Sequence, residues 1–254
     1  MRRDANGAGS GDAWTCSIMQ EFATGQSGYL WTQTYDMATT TLGCKLFTNG
    51  AGNLSFRYGN NTNKLWQSWS NGYLSQGDDV FHLITIVYDG GTTGSDSTYL
   101  SDYNGRFKFY LTNLNTKQTA EITPDSQNAN NGGHDGAIEG RFVVGSNYGN
   151  NHVMGGKVAA CSITNQALTL SDIQGDSTTG ENGFALDPLG WKTQNSITDP
   201  DTTKIWLMGD GVDDNDNGDL YIRNQVDTTD NGSMLQMVNM QTSRIVNTTP
   251  AGLQ

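Results

Sequence analysis

Asp213, Asn215, Asn217 and Asp219 stand at alternating positions of one acidic stretch, DDNDNGDLYIRN, residues 213–224, with Gly218 between the last two. Oxygen ligands at every second position, with a glycine at the sharp bend and Leu220 just after it, are what a calcium loop needs. Asp213, Asn215, Asn217 and Asp219 are therefore the candidate metal ligands, and Ca2+ is the one cofactor this chain points to. The loop departs from the full pattern at its last position, where Asn224 replaces a bidentate Glu. No helical period flanks it, so a solvated acidic turn is the competing reading.

Sugar recognition asks for an aromatic face beside side chains that hydrogen-bond hydroxyls. Tyr148, Asn150, Asn151 and His152 share one loop and are the candidate glycan-binding set. Trp66, Trp69, Tyr73, Tyr99 and Tyr103 also lie in or beside turn-rich stretches, although a tryptophan serves a core as readily as a ligand. His82 falls inside the most apolar strand and reads as a packed core histidine. His134 and His152 sit in loops with no nucleophile pattern beside them. The cysteines, Cys16, Cys44 and Cys161, are odd in number and lack a C-x-x-C pair. They form neither a disulfide framework nor a zinc site and read as small buried residues; a Cys16–Cys44 bridge is the alternative.

The elements that must position these groups are strands. In AWTCSIMQEF, Trp14, Cys16, Ile18 and Phe22 fall on one face by period-two alternation. Residues 29–34, 42–47, 54–58 and 64–70 follow between turn residues. FHLITIVYDGG, from Phe81, is nearly continuous in apolar and β-branched residues, as a strand buried on both faces should be. In RFKFYLTN, Phe107, Phe109 and Leu111 alternate with Lys108, Tyr110 and Thr112. Residues 128–136, NANNGGHDG, are a loop. The spacing then predicts strands over 141–145 and 157–163, separated by an Asn/Gly loop. Thr169 with Asp172 forms a capping box for one helical turn, with Leu168, Leu170 and Ile173 as its apolar face.

The cadence of 81–90, 107–113, 142–145 and 156–173 resembles concanavalin A-like, laminin G-like domains. That resemblance spans roughly 13–173 and implies an all-β antiparallel jelly-roll β-sandwich. It divides the chain into an arm (1–12), the sandwich (13–173), a connecting segment (174–204) and a strand block (205–254). IWLMGDG, from Ile205, is similar to the opening strands of such domains, which 1–12 does not supply. The block is thus expected to complete or extend the sandwich, in cis or in trans, or else to form a separate hairpin. Glucanases of this fold carry an E-x-D-x-x-E motif on one strand. The four glutamates here, Glu21, Glu121, Glu139 and Glu181, are far apart, so that motif is absent.

Composition narrows the function further. Acids outnumber bases 26 to 14, a net charge of −12, which opposes nucleic-acid binding. No run of about 18 apolar residues exists to insert in a membrane. MRRDANGAGSGDA has no apolar core of a secretory leader. Sequons at Asn53, Asn60, Asn231 and Asn247 are expected by chance in so Asn- and Thr-rich a chain. These features resemble capsid decoration or fibre proteins of tailed phages. They imply a non-catalytic structural or adhesive module at the virion surface, with capsid protein, its own copies or host glycans as partners. A secreted carbohydrate-binding module is the alternative, with a divergent glycoside hydrolase or lyase behind it. The calcium loop predicts heat on titration with Ca2+ and a rise in melting temperature that a chelator reverses; no heat and no shift would remove the site.

Overall fold

The computed structural model describes residues 13–22, 25, 27–34, 43–48, 53–59, 64–69, 74, 81–89, 107–129, 141–145, 156–176, 178–199, 202–207, 213–214, 220–222, 224–226 and 235–237. The arm at 1–12 lies outside them. In chain order the strands of two large sheets are β1 (Trp14–Glu21), β2 (Gly28–Thr34), β3 (Gly43–Thr48), β4 (Leu54–Gly59), β5 (Lys64–Trp69), β6 (Phe81–Tyr88), β7 (Phe107–Asn113), β8 (Gln118–Glu121), β9 (Ser126–Ala129), β10 (Arg141–Val144) and β11 (Val158–Thr164). A helical turn α1 (Leu170–Gln174), a two-residue hairpin β12 (Gly175–Asp176) and β13 (Glu181–Asn182), and a short helix α2 (Pro188–Gln194) follow. Then come β14 (Thr203–Leu207), β15 (Asp213–Asp214), β16 (Leu220–Ile222) and β17 (Leu235–Met237).

The first sheet runs β14-β11-β1-β6-β7-β8 and the second β10-β2-β3-β4-β5-β9, antiparallel throughout. The chain alternates between them: β1, then β2–β5 across, β6–β8 back, β9–β10 across, β11 back. That exchange is a jelly-roll β-sandwich, the fold class expected from the sequence. β15, β16 and β17 form a separate three-stranded sheet.

Alternation explains the main core. Trp14, Cys16 and Ile18 from β1, Ile84, Ile86 and Tyr88 from β6, and Phe107 and Phe109 from β7 meet Trp31, Leu46, Leu54, Phe56, Tyr58 and Trp69 of the second sheet. Phe56 lies 4.9 Å from Phe107 and 5.1 Å from Phe109 by ring centroids, and Trp69 lies 4.5 Å from Phe109. These are spacings at which aromatic pairs attract beyond their buried area.

The first sheet is buried on its other face too. Met19, Leu83, Val87, Tyr110 and Ala160 pack under Leu168, Ile173, Phe184, Ala185 and Trp191 of the helical segment. Thr15 ties that layer down: its hydroxyl donates to the Gln166 carbonyl (2.8 Å) and accepts from the Leu168 amide (3.1 Å). The capping box is present as read, with Asp172 N donating to Thr169 Oγ1 and Thr169 N to Asp172 Oδ2. Leu170 corrects the expected apolar face; it is exposed at 43%, because Leu168 and Ile173 alone point into the core. α2 has no counterpart in the sequence reading. It starts on Asp187, whose carboxylate accepts from Gly190 N at 2.9 Å, with Pro188 in its first turn. Seven residues are too few to show a period.

Both edges of the sandwich close. At one, residues 122–125 carry the chain from β8 to β9: Ile122 N donates to Phe109 O, and Asp125 N donates to Ser68 O. At the other, Phe142 of β10 and Trp206 of β14 stack at 6.2 Å with ring planes 13° apart. β14 pairs with β11 within the same chain. Its outer side meets Asn224, whose Oδ1 accepts from Ile205 N (2.9 Å) and Val226 N (3.2 Å), while Gln225 N donates to Ile205 O. All three cysteines are free and buried, so the Cys16–Cys44 bridge does not form.

Three outcomes test this packing. A Cβ on Gly183 would strike the Gln174 carbonyl and Ile173 O of α1, so Gly183→Ala should lose about 1–3 kcal/mol in urea melts. Asn224→Ala leaves buried backbone amides without their acceptor and should lose about 1–3 kcal/mol. Burial raises the Cys16 and Cys44 thiols well above the ordinary value, so they stay protonated in the fold. Their contribution is therefore full below the unfolded thiol pKa, about 8.5, and declines as pH rises above it. Stability measured from pH 7 to 10 should fall, and less so in Cys16→Ala/Cys44→Ala.

Candidate functional site

The loop bearing Tyr148, Asn150, Asn151 and His152 lies outside the described residues, but both its anchors are defined. Gly145 (φ +75°) ends β10 and donates to the Leu30 carbonyl at 2.7 Å. Gly156 (φ +126°) precedes β11, where Lys157 O accepts from Glu21 N at 2.8 Å. A Cβ disfavours both backbone conformations. Lys157 Nζ also reaches Glu21 Oε2 at 3.0 Å, and the Glu21 side chain is only 3% exposed. The loop thus leaves the edge strand of the second sheet and returns to an inner strand of the first.

Of the candidate calcium ligands, Asp213 begins β15, with Tyr221 opposite it and Leu220 opposite Asp214. Asn215, Asn217 and Asp219 lie outside the described residues. Asn224 is buried at 1%, and its side-chain oxygen serves the backbone of β14. Among the described residues no three His, Cys, Asp or Glu side chains converge as a metal site.

Trp69 is a core residue: it is fully buried, and its indole N–H donates to Ile122 O at 3.3 Å. His82 is half-buried, 5.6 Å from the Phe22 ring. Tyr73, Tyr99, Tyr103 and His134 lie outside the described residues, as does the side chain of Trp66.

The feature the sequence did not reveal is the face of the second sheet turned away from the core. Register sets it out in three rows across the strands. One row is Tyr29, Phe47, Ser55, Ser68 and Ser126. The next is Val143, Thr32, Lys45, Arg57, Trp66 and Asn128. The third is Arg141, Thr34, Gly43, Gly59 and Lys64.

Tyr29, Lys45, Phe47 and Arg57 are half-buried here. The Tyr29 and Phe47 rings lie 5.6 Å apart. Lys45 Nζ is 5.7 Å from the Tyr29 ring centre, and the Arg57 guanidinium carbon is 5.1 Å from that of Phe47. Partial burial draws the Arg57 pKa down and Tyr29 pushes it back up; a guanidinium stays charged at neutral pH regardless. The result is a patch of two rings and two held cations. It is suited to C–H-rich, hydroxyl-rich or anionic ligands. Each member looks ordinary in sequence; only the pairing of β2, β3 and β4 gathers them.

No protein-family model matches the chain, and no curated protein sequence does. Solved structures with a similar strand arrangement include a heptameric SAP-like pentraxin from Limulus polyphemus (12% identity, 70% of this chain and 76% of that one, TM-score 0.40). Others are the CBM40 of Ruminococcus gnavus IT-sialidase bound to α2,6-sialyllactose (11%, 64% and 80%, 0.40) and tailspike protein 2 of an Escherichia coli O157:H7 bacteriophage (12%, 65% and 21%, 0.43). The chain spans about a fifth of the tailspike's length. At such identities and scores these likenesses assign no ligand and no residue role.

Proposed function

We propose that this protein is a non-catalytic adhesive module that holds glycan on the outer face of its second sheet. The observation behind the proposal is the Tyr29–Phe47 ring pair flanked by Lys45 and Arg57. The rings offer apolar ground to sugar C–H groups, and the two cations supply donors for its oxygens. Tyr148, Asn150, Asn151 and His152, between β10 and β11 in the chain, are proposed as further ligand residues. Calcium held by Asp213, Asn215, Asn217 and Asp219 is part of the same proposal.

A binding role also accords with the work done by several carboxylates. Glu21 is tied to Lys157, Asp172 and Asp187 cap helices, and Asp176 accepts from Thr178. The assembly we propose is a phage virion, with this chain as a capsid decoration or fibre protein. Its acidic, Asn-, Gly- and Thr-rich composition suits a permanently solvated outer surface. Mass spectrometry of purified virions tests that placement, and consistent absence of the chain from them would overturn it. Tyr29→Ala/Phe47→Ala should weaken retention in polysaccharide affinity gels at least about tenfold, or about 1.4 kcal/mol. Near-UV circular dichroism should show the core intact. Unchanged retention would sink the assignment of this face.

A further inference from the structure

The first sheet ends in β8 on one side and β14 on the other. Each edge strand turns the backbone of every second residue away from its neighbour. On β8 these are Thr119 and Glu121, because Ile122 N bonds to Phe109 O. On β14 they are Thr203, Ile205 and Leu207, because Ile205 bonds outward. Such a row of backbone groups is a template for another strand. Here side-chain amides meet it. Thr119 N donates to Gln174 Oε1 at 2.9 Å, and Ile205 N donates to Asn224 Oδ1 at 2.9 Å. Ile205 O accepts from Gln225 N (2.8 Å), and Thr203 N donates to Asp199 O (3.2 Å). A carboxamide offers the C=O of a peptide with no strand behind it, so it fills one position and propagates nothing. Glu121 carries an exposed charge at the other outward position of β8.

Both caps trace to the layer that covers the outer face of this sheet. Gln174 is the last residue of α1. Lys192, in the last turn of α2, donates from Nζ to Gln225 O at 2.8 Å and so holds residues 224–226 against β14. The Asn224 side chain is buried, and its Nδ2 has no hydrogen-bond partner among the described residues. Only its oxygen therefore serves the edge. A carboxylate would supply the same acceptor but bury a charge, which favours an amide here even in a chain with 26 acids. We infer that Gln174 and Asn224 are edge caps that keep the first sheet from adding a strand of a second copy of this chain. The α1–α2 layer is then an assembly guard as well as a cover, and it leaves copies to meet through other surfaces. Uncapping either edge frees backbone groups that the same strand of a second copy can satisfy, because an antiparallel pair of identical strands is self-complementary.

Sedimentation velocity of the full chain over a range of concentrations tests this, together with amide hydrogen exchange read residue by residue. Gln174→Ala and Asn224→Ala should each self-associate at least about tenfold more tightly than the unsubstituted chain. In dilute solution the Thr119 amide of Gln174→Ala and the Ile205 amide of Asn224→Ala should exchange at least about tenfold faster. Each should regain protection as concentration rises. Gln174 is the less buried cap, so Gln174→Ala reads the device even where Asn224→Ala fails to fold. Gln174→Glu keeps an acceptor for Thr119 N and should behave as the unsubstituted chain. Leu54→Ala weakens the core, leaves both caps and should not associate. Association of Leu54→Ala to the same degree would trace the effect to lost stability and overturn the inference. Gln174→Glu associating as strongly as Gln174→Ala would overturn it too. So would Thr119 and Ile205 amides that stay as protected as in the unsubstituted chain, or that exchange fast at every concentration.

Discussion

The structure depends on a lattice of aromatic rings packed between two sheets. Phe56, Tyr58, Trp31 and Trp69 project from one sheet, and Trp14, Tyr88, Phe107 and Phe109 from the other, with most ring centres 4.5–6.5 Å apart. Large side chains contribute most buried area per residue, and a chain this rich in glycine and turns needs that contribution. The lattice also fixes strand register. A slip of one residue would turn Phe56 outward and Arg57 inward. The order of the outer face is therefore a by-product of the order of the inner one.

The two sheets are used unequally. The first packs rings on one side and the α1–α2 layer on the other, so its inner strands read as continuous apolar runs and β1 has no exposed residue. The second packs its rings on one side; on the other, Thr32 and Ser55 are buried and Tyr29, Lys45, Phe47 and Arg57 half-buried. Positions there that need not be apolar carry Lys45 and Arg57, each held over an aromatic ring, with Arg57 partly desolvated. The same logic explains Asn224. A polar side chain at 1% exposure is tolerable because its oxygen takes two backbone donors, and that task makes it part of the sheet edge.

Much of this was legible in the chain itself. Alternation in LSFRYG and FKFYLTN sets Leu54, Phe56 and Tyr58, and Phe107 and Phe109, each on one face of their strand, because period two is a local property of an extended backbone; the structure turns those faces to the core. The capping box at Thr169 and Asp172 was legible for the same reason, since both partners lie within one turn. α2 was not, being held by Trp191 against Phe184 at 4.9 Å more than by any period of its own. Nor was the exposure of Leu170, which depends on how the layer sits on the sheet. Whether the block from Ile205 pairs in cis or in trans was also open, and the structure pairs Thr203–Leu207 with β11 of the same chain.

By itself the sequence determined most strands of the two large sheets and the shared face of several of them, while the jelly-roll class came from the resemblance of their order to laminin G-like domains. The strands and faces follow from side-chain alternation and turn chemistry over a few residues. Only the tertiary structure decided which strands lie side by side. Arg141 shares a row with Gly43, Gly59 and Lys64 because the ring lattice sets the register of β10, β2, β3, β4 and β5. Neighbours across a sheet come from separate parts of the chain, so no local pattern records that Lys45 faces Arg57.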